Sequence, residues 1–182
     1  LEMLIIALLV LELTDSPFLV SVAFFLRFLP MLFGFVIGVT AERLNRKFLM
    51  IGGLIVQATV SAILASLVIA DLIQYWHLAL GSFLLGTVIA SEFPVRRTMI
   101  GEVVSRANVG RAVSLEQTTN SLLRILGPFA GGVFMATIGA QGGFLLGLVL
   151  YSIGIVIALS LKYQRPVQTD VLAGPKTQIV EG

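Results

Sequence analysis

Two arginines in this chain stand inside apolar runs, where a charge has no ready access to water. Arg27 lies in the stretch 18–40 and Arg124 in the stretch 111–138; each precedes a proline, Pro30 or Pro128, with glycines beyond it. A guanidinium keeps its proton under all ordinary conditions, so neither side chain can escape by neutralising. If these runs cross a bilayer, an arginine facing lipid at mid-span costs at least about 2.5 kcal/mol. Both side chains are therefore expected to point inward, toward a cavity, an acid, or carbonyls left without a donor by the prolines. Such a placement serves one of three ends: pairing that holds the fold, attraction of a ligand with a negative or strongly polar group, or reach to the interface along the aliphatic stem. Gln57, Gln117 and Asn120 could complete a polar pocket with Arg27 and Arg124 beside phenylalanine and methionine walls, which suits an amphiphile. Gln57 reads equally well as a side chain satisfied by a hydrogen bond between helices.

The rest of the chain offers little other chemistry. It has no cysteine and a single histidine, His77, which leaves no disulfide, no thiol nucleophile and no histidine-cluster metal site. No phosphate-binding loop or nucleophile motif is present, so neither an enzyme nor a cofactor is expected. Of the acids, Glu2 sits at the start of the chain and Glu116 toward the cytoplasmic end of its helix, so no carboxylate is expected at mid-membrane.

These residues must be held by membrane helices. Of the 182 residues, 57% are hydrophobic and 12% charged, and the mean hydropathy is +1.00. A soluble domain averages about 25% charged residues. The formal charge of +2 is spread over short loops and does not indicate a nucleic-acid partner. Apolar segments lie at about 1–13, 18–40, 48–70, 76–93, 111–138 and 144–161. The first is short for a bilayer of about 30 Å, and the opening Leu1-Glu2 without an initiator Met leads to the expectation that this helix is cut short. Asp15 or Ser16 is expected to cap the second helix, with Pro17 in its first turn. Gly34 and Gly38 form a small-x-x-x-small pair suited to close helix contact. The fourth helix is expected to end at Glu92-Phe93-Pro94, followed by an internal segment with a short amphipathic piece. Tyr75, Trp76 and His77 suit an interfacial belt. A six-helix membrane domain over 1–165 is thus expected, with 166–182 as a cytoplasmic linker or tail.

The charges agree on a topology. Arg43, Arg46 and Lys47 share one side with Arg96, Arg97, Arg106, Arg111, Lys162, Arg165 and Lys176, and only Arg27 and Arg124 are left, both within helices. By the positive-inside rule that side is cytoplasmic. Arg27 is eleven residues before Gly38 and Arg124 thirteen after Arg111, or roughly 16 Å and 20 Å at the helical rise, which places both near mid-membrane.

The basic loop Gly38-Val39-Thr40-Ala41-Glu42-Arg43-Leu44-Asn45-Arg46-Lys47 resembles motif A of the major facilitator superfamily, Gly-x-x-x-Asp-Arg-x-Gly-Arg-Arg/Lys. Gly38, Arg43, Arg46 and Lys47 match in place, Glu42 keeps the charge of the usual Asp, and Asn45 stands for the second Gly. The run Gly127-Pro128-Phe129-Ala130-Gly131-Gly132 resembles the core of motif C of facilitator-type exporters, although Leu123 and Ser114 occupy the places of its upstream glycines. The stretches Arg27-Phe28-Leu29-Pro30 and Phe93-Pro94-Val95-Arg96 look like the branch of the enterobactin exporter and the macrolide efflux proteins.

The resemblance implies an all-α membrane protein, one six-helix half of a facilitator fold made of two inverted three-helix repeats, in a bacterial inner (plasma) membrane. It implies ion-coupled efflux of a hydrophobic or amphiphilic small molecule by alternating access. Glu42 and Arg43 would latch the inner gate, and Gly127, Pro128, Gly131 and Gly132 would allow a bend and a close helix contact. A second six-helix half or a partner chain is then required. The alternative is a transporter-derived subunit that organises a larger membrane complex.

The topology is open to test by single cysteines and an impermeant thiol reagent in intact cells. A cysteine at position 141 is expected to label and one at position 45 to stay silent; the reverse pattern would invert the orientation.

Overall fold

The computed structural model describes residues 2–33 and 46–160. Over these the chain forms α1 (Glu2–Thr14), α2 (Pro17–Leu32), α3 (Arg46–Ile69), α4 (Tyr75–Val103), a 3-10 turn (Arg106–Asn108), α5 (Val109–Ile138) and α6 (Ala140–Ser160). No strand is present among the described residues. Four helices have spans long and apolar enough to cross a membrane: Lys47–Ile69, Tyr75–Arg96, Val109–Ile138 and Ala140–Ser160. The described parts of the first two helices are shorter. Gly34, Gly38, Glu42, Arg43 and the segment 166–182 lie outside the described residues.

Local chemistry sets the turns. Asp15 takes the left-handed conformation, φ 47°, which Asp tolerates better than most residues. Ser16 occupies the N-cap of α2 without a capping side-chain hydrogen bond, and Pro17 opens the helix. The expected cap is thus present in position but not in bonding. Asp71, φ 55°, ends α3 in a Schellman arrangement: Leu72 N donates to Leu67 O at 2.9 Å and Asp71 N to Val68 O at 3.2 Å, which satisfies carbonyls the helix end would otherwise strand. At the start of α4, His77 Nδ1 accepts from Gln74 N at 3.1 Å, and the imidazole lies against Trp76, with ring centroids 3.6 Å apart. His77 is therefore a capping residue.

Two boundaries differ from the sequence expectation. α4 runs through Pro94 to Val103 instead of stopping at Phe93. A proline inside a membrane helix removes one backbone donor but is tolerated where neighbours satisfy the freed groups. Here the Glu92–Arg96 pair, 3.5 Å apart, spans the proline at i, i+4 spacing. The expected amphipathic piece is replaced by this extension and the 3-10 turn. The connection expected between the apolar segments 111–138 and 144–161 is reduced to Gly139, whose φ of 82° lets α5 reverse directly into α6 at no steric cost.

α3 packs most extensively on α6, and α2 on α4, with α3 and α4 joining the two pairs and α1 threaded between them. The core gathers Ile5, Ile6, Leu9 and Val10 of α1 around Val60 and Leu64 of α3, Leu78 and Leu85 of α4, and Phe144 of α6. The outer face is apolar too: Phe18, Phe48, Ile63, Val156 and Ile157 are exposed. Water would penalise such a surface, whereas lipid does not. α5 contributes only Gly131 to the buried set and presents Leu122, Ile125 and Phe129 outward.

The tightest approach is between α2 and α4. A Cβ placed on Gly86 would lie 1.9 Å from the backbone oxygen of Arg27, whereas one on Gly52 would meet nothing within 4 Å. Gly86→Ala must push two backbones apart, and overpacking of this kind costs about 1–3 kcal/mol. A lower thermal midpoint of the purified protein is expected for Gly86→Ala, with none for Gly52→Ala. Equal midpoints for the two would refute the close α2–α4 contact.

Candidate functional site

Arg27 of α2 and Arg124 and Pro128 of α5 come together around one cavity of about 750 Å³. Arg27 and Phe28 reach it from α2, Met3 and Leu4 from α1, Glu92 and Arg96 from α4, and Glu116, Gln117, Asn120, Arg124 and Pro128 from α5. Of the residues expected to form a polar pocket, Arg27, Gln117, Asn120 and Arg124 therefore line a common space. The helical spacing explains the α5 contribution, because positions 116, 117, 120 and 124 follow one another along a single face. Phe24 and Phe28 supply aromatic wall, and Met3 the thioether.

Gln57 is not among the lining residues. It is buried, 7% exposed, and its Nε2 donates to Glu92 Oε1 at 3.1 Å. Of its two sequence readings, the hydrogen bond between helices is the one observed. Glu92 accepts that bond on one oxygen and pairs with Arg96 through the other, 3.5 Å away. Gly53 makes room for it: a Cβ there would lie 3.0 Å from Glu92 Oε1. Glu92 had been expected at a helix end. The continuation of α4 through Pro94 instead turns it toward the cavity, with its side chain 19% exposed. The i, i+4 relation to Arg96 was the sequence signal that pointed to a helix there.

Glu2 is the second acid the sequence underplayed. It is 5% exposed, and both oxygens are engaged: Ser61 Oγ of α3 donates to Oε1, and Tyr151 OH of α6 donates to Oε2 at 2.9 Å. The acid thus ties α1 to α3 and α6. Gly147 belongs to this arrangement, since a Cβ on it would lie 3.0 Å from Glu2 Oε1 and 3.4 Å from Ser61 Oγ. A carboxylate in an apolar bundle is tolerable only with such donors. A glutamate among Leu and Ile in an apolar helix was a visible signal, but its donors lie 59 and 149 residues away.

Arg27 stands between the Glu2 cluster and the cavity. Glu2 and Tyr151 act on it electrostatically, yet its Nη1 is buried with no hydrogen-bond partner among the described residues. On the opposite wall, Glu116 Oε2 is likewise buried and without a partner among them. Gln117 and Arg124 are exposed on α5.

The loop and glycine motifs fall in part within the described residues. Arg46 opens α3, and Lys47 Nζ donates to Leu159 O at 3.0 Å. That oxygen belongs to the last turn of α6, whose stranded carbonyls and negative dipole end favour a cation. Gly127 and Pro128 lie inside α5, and Gly131 is buried. A Cβ on Gly132 would meet nothing within 4 Å.

With this geometry in place, comparison with known proteins adds one result. The family described as Major Facilitator Superfamily matches residues 2–179. No curated protein and no solved structure matches the chain.

The Glu2 cluster makes a stability prediction. Ser61→Ala and Tyr151→Phe each remove one donor from a buried acid, a loss of about 1.5–3 kcal/mol for a hydrogen bond to a charged group. Both are expected to lower the unfolding midpoint in detergent, whereas Ser152→Ala, whose hydroxyl bonds only the exposed Leu148 O, is expected to leave it unchanged. Three equal midpoints would remove Glu2 from the packing account.

Proposed function

We propose that this chain, which belongs to the major facilitator superfamily and is a multi-pass membrane protein of a transporter family, performs ion-coupled efflux of a hydrophobic or amphiphilic small molecule. The observation that carries this reading is the 750 Å³ cavity, where apolar walls from α1 and α2 meet Arg27, Gln117, Asn120 and Arg124. Ligand sites are typically apolar concavities of roughly 300–1,000 Å³ with a few convergent polar groups. The described helices would form one wall. A second six-helix half, or a partner chain, would supply the other, and rocking of the two about the cavity would expose it to each side in turn.

The direction and the energy source are part of the proposal. The Gly127-Pro128-x-x-Gly131-Gly132 run is associated with export in the proteins it resembles, and the likeness to the enterobactin exporter and macrolide efflux branch points the same way. Coupling to an ion gradient needs a group inside the bundle whose charge can change. Glu2, Glu92 and Glu116 are the carboxylates available there, all at or beside the arginines. In this reading Glu42 and Arg43 latch the inner gate, Arg46 and Lys47 anchor it to α3 and α6, and the basic loops face the cytoplasm of a bacterial cell. Buried polar atoms at the cavity without a hydrogen-bond partner among the described residues, Arg27 Nη1 and Glu116 Oε2, suit a ligand site and favour transport over a purely organising role.

The test is Arg27→Gln and Arg124→Gln, made singly, with uptake into inverted vesicles measured beside thermal stability. Folded variants whose substrate affinity falls at least tenfold are expected. Normal affinity and rate in both variants would refute the pocket, and loss of stability alone would return both residues to a structural role.

A further inference from the structure

The cavity holds two buried polar atoms of opposite character that nothing in the described chain satisfies: Arg27 Nη1 on α2 and Glu116 Oε2 on α5. Such atoms are rare in folded proteins and call for an explanation. The other charges near them are accounted for differently. Glu92 is committed to Gln57 and Arg96. Glu2 accepts from Ser61 and Tyr151 and acts on Arg27 electrostatically, but no hydrogen bond closes Arg27 Nη1 among the described residues. Arg124 is exposed on α5 and can be solvated. What remains is one donor of fixed positive charge and one carboxylate acceptor on two walls of a single cavity.

We propose that the ligand of this cavity is a zwitterionic amphiphile, its anionic group received by Arg27 and its ammonium by Glu116, with its apolar body against Phe24, Phe28 and Ile89. The assignment rests on the cavity being the substrate site and narrows the class of molecule it takes. A singly charged amphiphile satisfies one of the two atoms and leaves the other buried and unpaired, which is the costly outcome for a polar site. A neutral apolar compound satisfies neither. A zwitterion satisfies both and adds no net charge to the apolar interior. The ligand's own charges also replace the solvent that each protein group lacks, as charge-assisted hydrogen bonds do elsewhere.

The same chemistry has two sources: a free zwitterionic molecule with an alkyl body, or a lipid whose headgroup carries phosphate and ammonium. Binding is measured by calorimetry on the protein in phosphatidylcholine nanodiscs, whose choline offers no N–H donor. The matched probes are 2-aminododecanoic acid (zwitterion), dodecanoic acid (anion) and dodecylamine (cation), with lysophosphatidylethanolamine as the lipid probe. The zwitterion is expected to bind at least tenfold more tightly than either singly charged probe. Arg27→Gln is expected to bring it down to the affinity of dodecylamine, and Glu116→Gln to that of dodecanoic acid. Lysophosphatidylethanolamine binding with the same dependence on Arg27 and Glu116 assigns the headgroup source, and binding of 2-aminododecanoic acid alone assigns the free zwitterion. Should Arg27→Gln not fold, Glu116→Gln decides by itself, through loss of discrimination between zwitterion and anion. A zwitterion that binds no tighter than the better singly charged probe, or substitutions that weaken all probes alike, overturns the proposal. Dodecanoic acid bound alone through Arg27 would do so while leaving the cavity as the substrate site, whereas no binding of any probe to folded protein would overturn both.

Discussion

A fixed positive charge among apolar helices is the constraint on which much of this bundle turns. Arg27 cannot lose its proton, and no aqueous loop is near it in the chain. The structure answers by collecting polar groups around it from elements far apart in sequence. Glu2 of α1 provides countercharge, and Tyr151 of α6 is held beside it. Ser61 of α3 completes the coordination of Glu2. Glycine makes the arrangement possible twice over: Gly86 lets α4 lie against the backbone of Arg27, and Gly147 lets α6 come up to the carboxylate. A larger residue at either place would separate the helices that the charges draw together.

Polar satisfaction is uneven across the bundle, and the unevenness follows its packing. Where α3, α4 and α6 meet, buried polar side chains have partners: Gln57 with Glu92, Ser61 with Glu2. Where α5 stands apart, Glu116 Oε2 and Arg27 Nη1 do not. The satisfied side acts as scaffold and the unsatisfied side faces the cavity. In the proposed reading this division leaves the cavity's polar groups free to bind and release a ligand. The apolar outer faces of α2, α3 and α6 place the scaffold in lipid, where van der Waals packing and hydrogen bonds hold helices together in place of the hydrophobic effect.

The prolines show how tertiary surroundings overrule local preference. Pro94 reads in the sequence as a helix end, because proline lacks a donor and restricts the residue before it. In the bundle α4 continues through it, stabilised across the break by Glu92 and Arg96. That continuation moves Glu92 from an expected helix end to the interior of α4 at the wall of the cavity, and the bond from Gln57 to Glu92 makes Gln57 a supporting residue instead of a ligand contact. Pro30 and Pro128 likewise lie inside their helices; the arginine before Pro30 has a buried Nη1, whereas Arg124 before Pro128 is exposed.

By itself the sequence determined the all-helical membrane class and the number and rough limits of the helices, and it led to the expectation that Arg27 and Arg124 turn away from lipid. These follow from apolar run length and from the cost of charge in lipid, both of which act residue by residue and need no partner. The family was legible as well, in the spacing of Gly38, Arg43, Arg46 and Lys47 and in Gly127-Pro128-x-x-Gly131-Gly132. Only the tertiary structure decided that Glu2 is a buried tie between α1, α3 and α6, that Gln57 serves Glu92, that a Cβ on Gly132 would meet nothing while one on Gly86 would meet the backbone of Arg27, and that Glu116 Oε2 has no hydrogen-bond partner among the described residues. Each of these depends on which side chain from another helix arrives at a given height. That is set by the packing of whole helices, and no local period or motif in the chain encodes it.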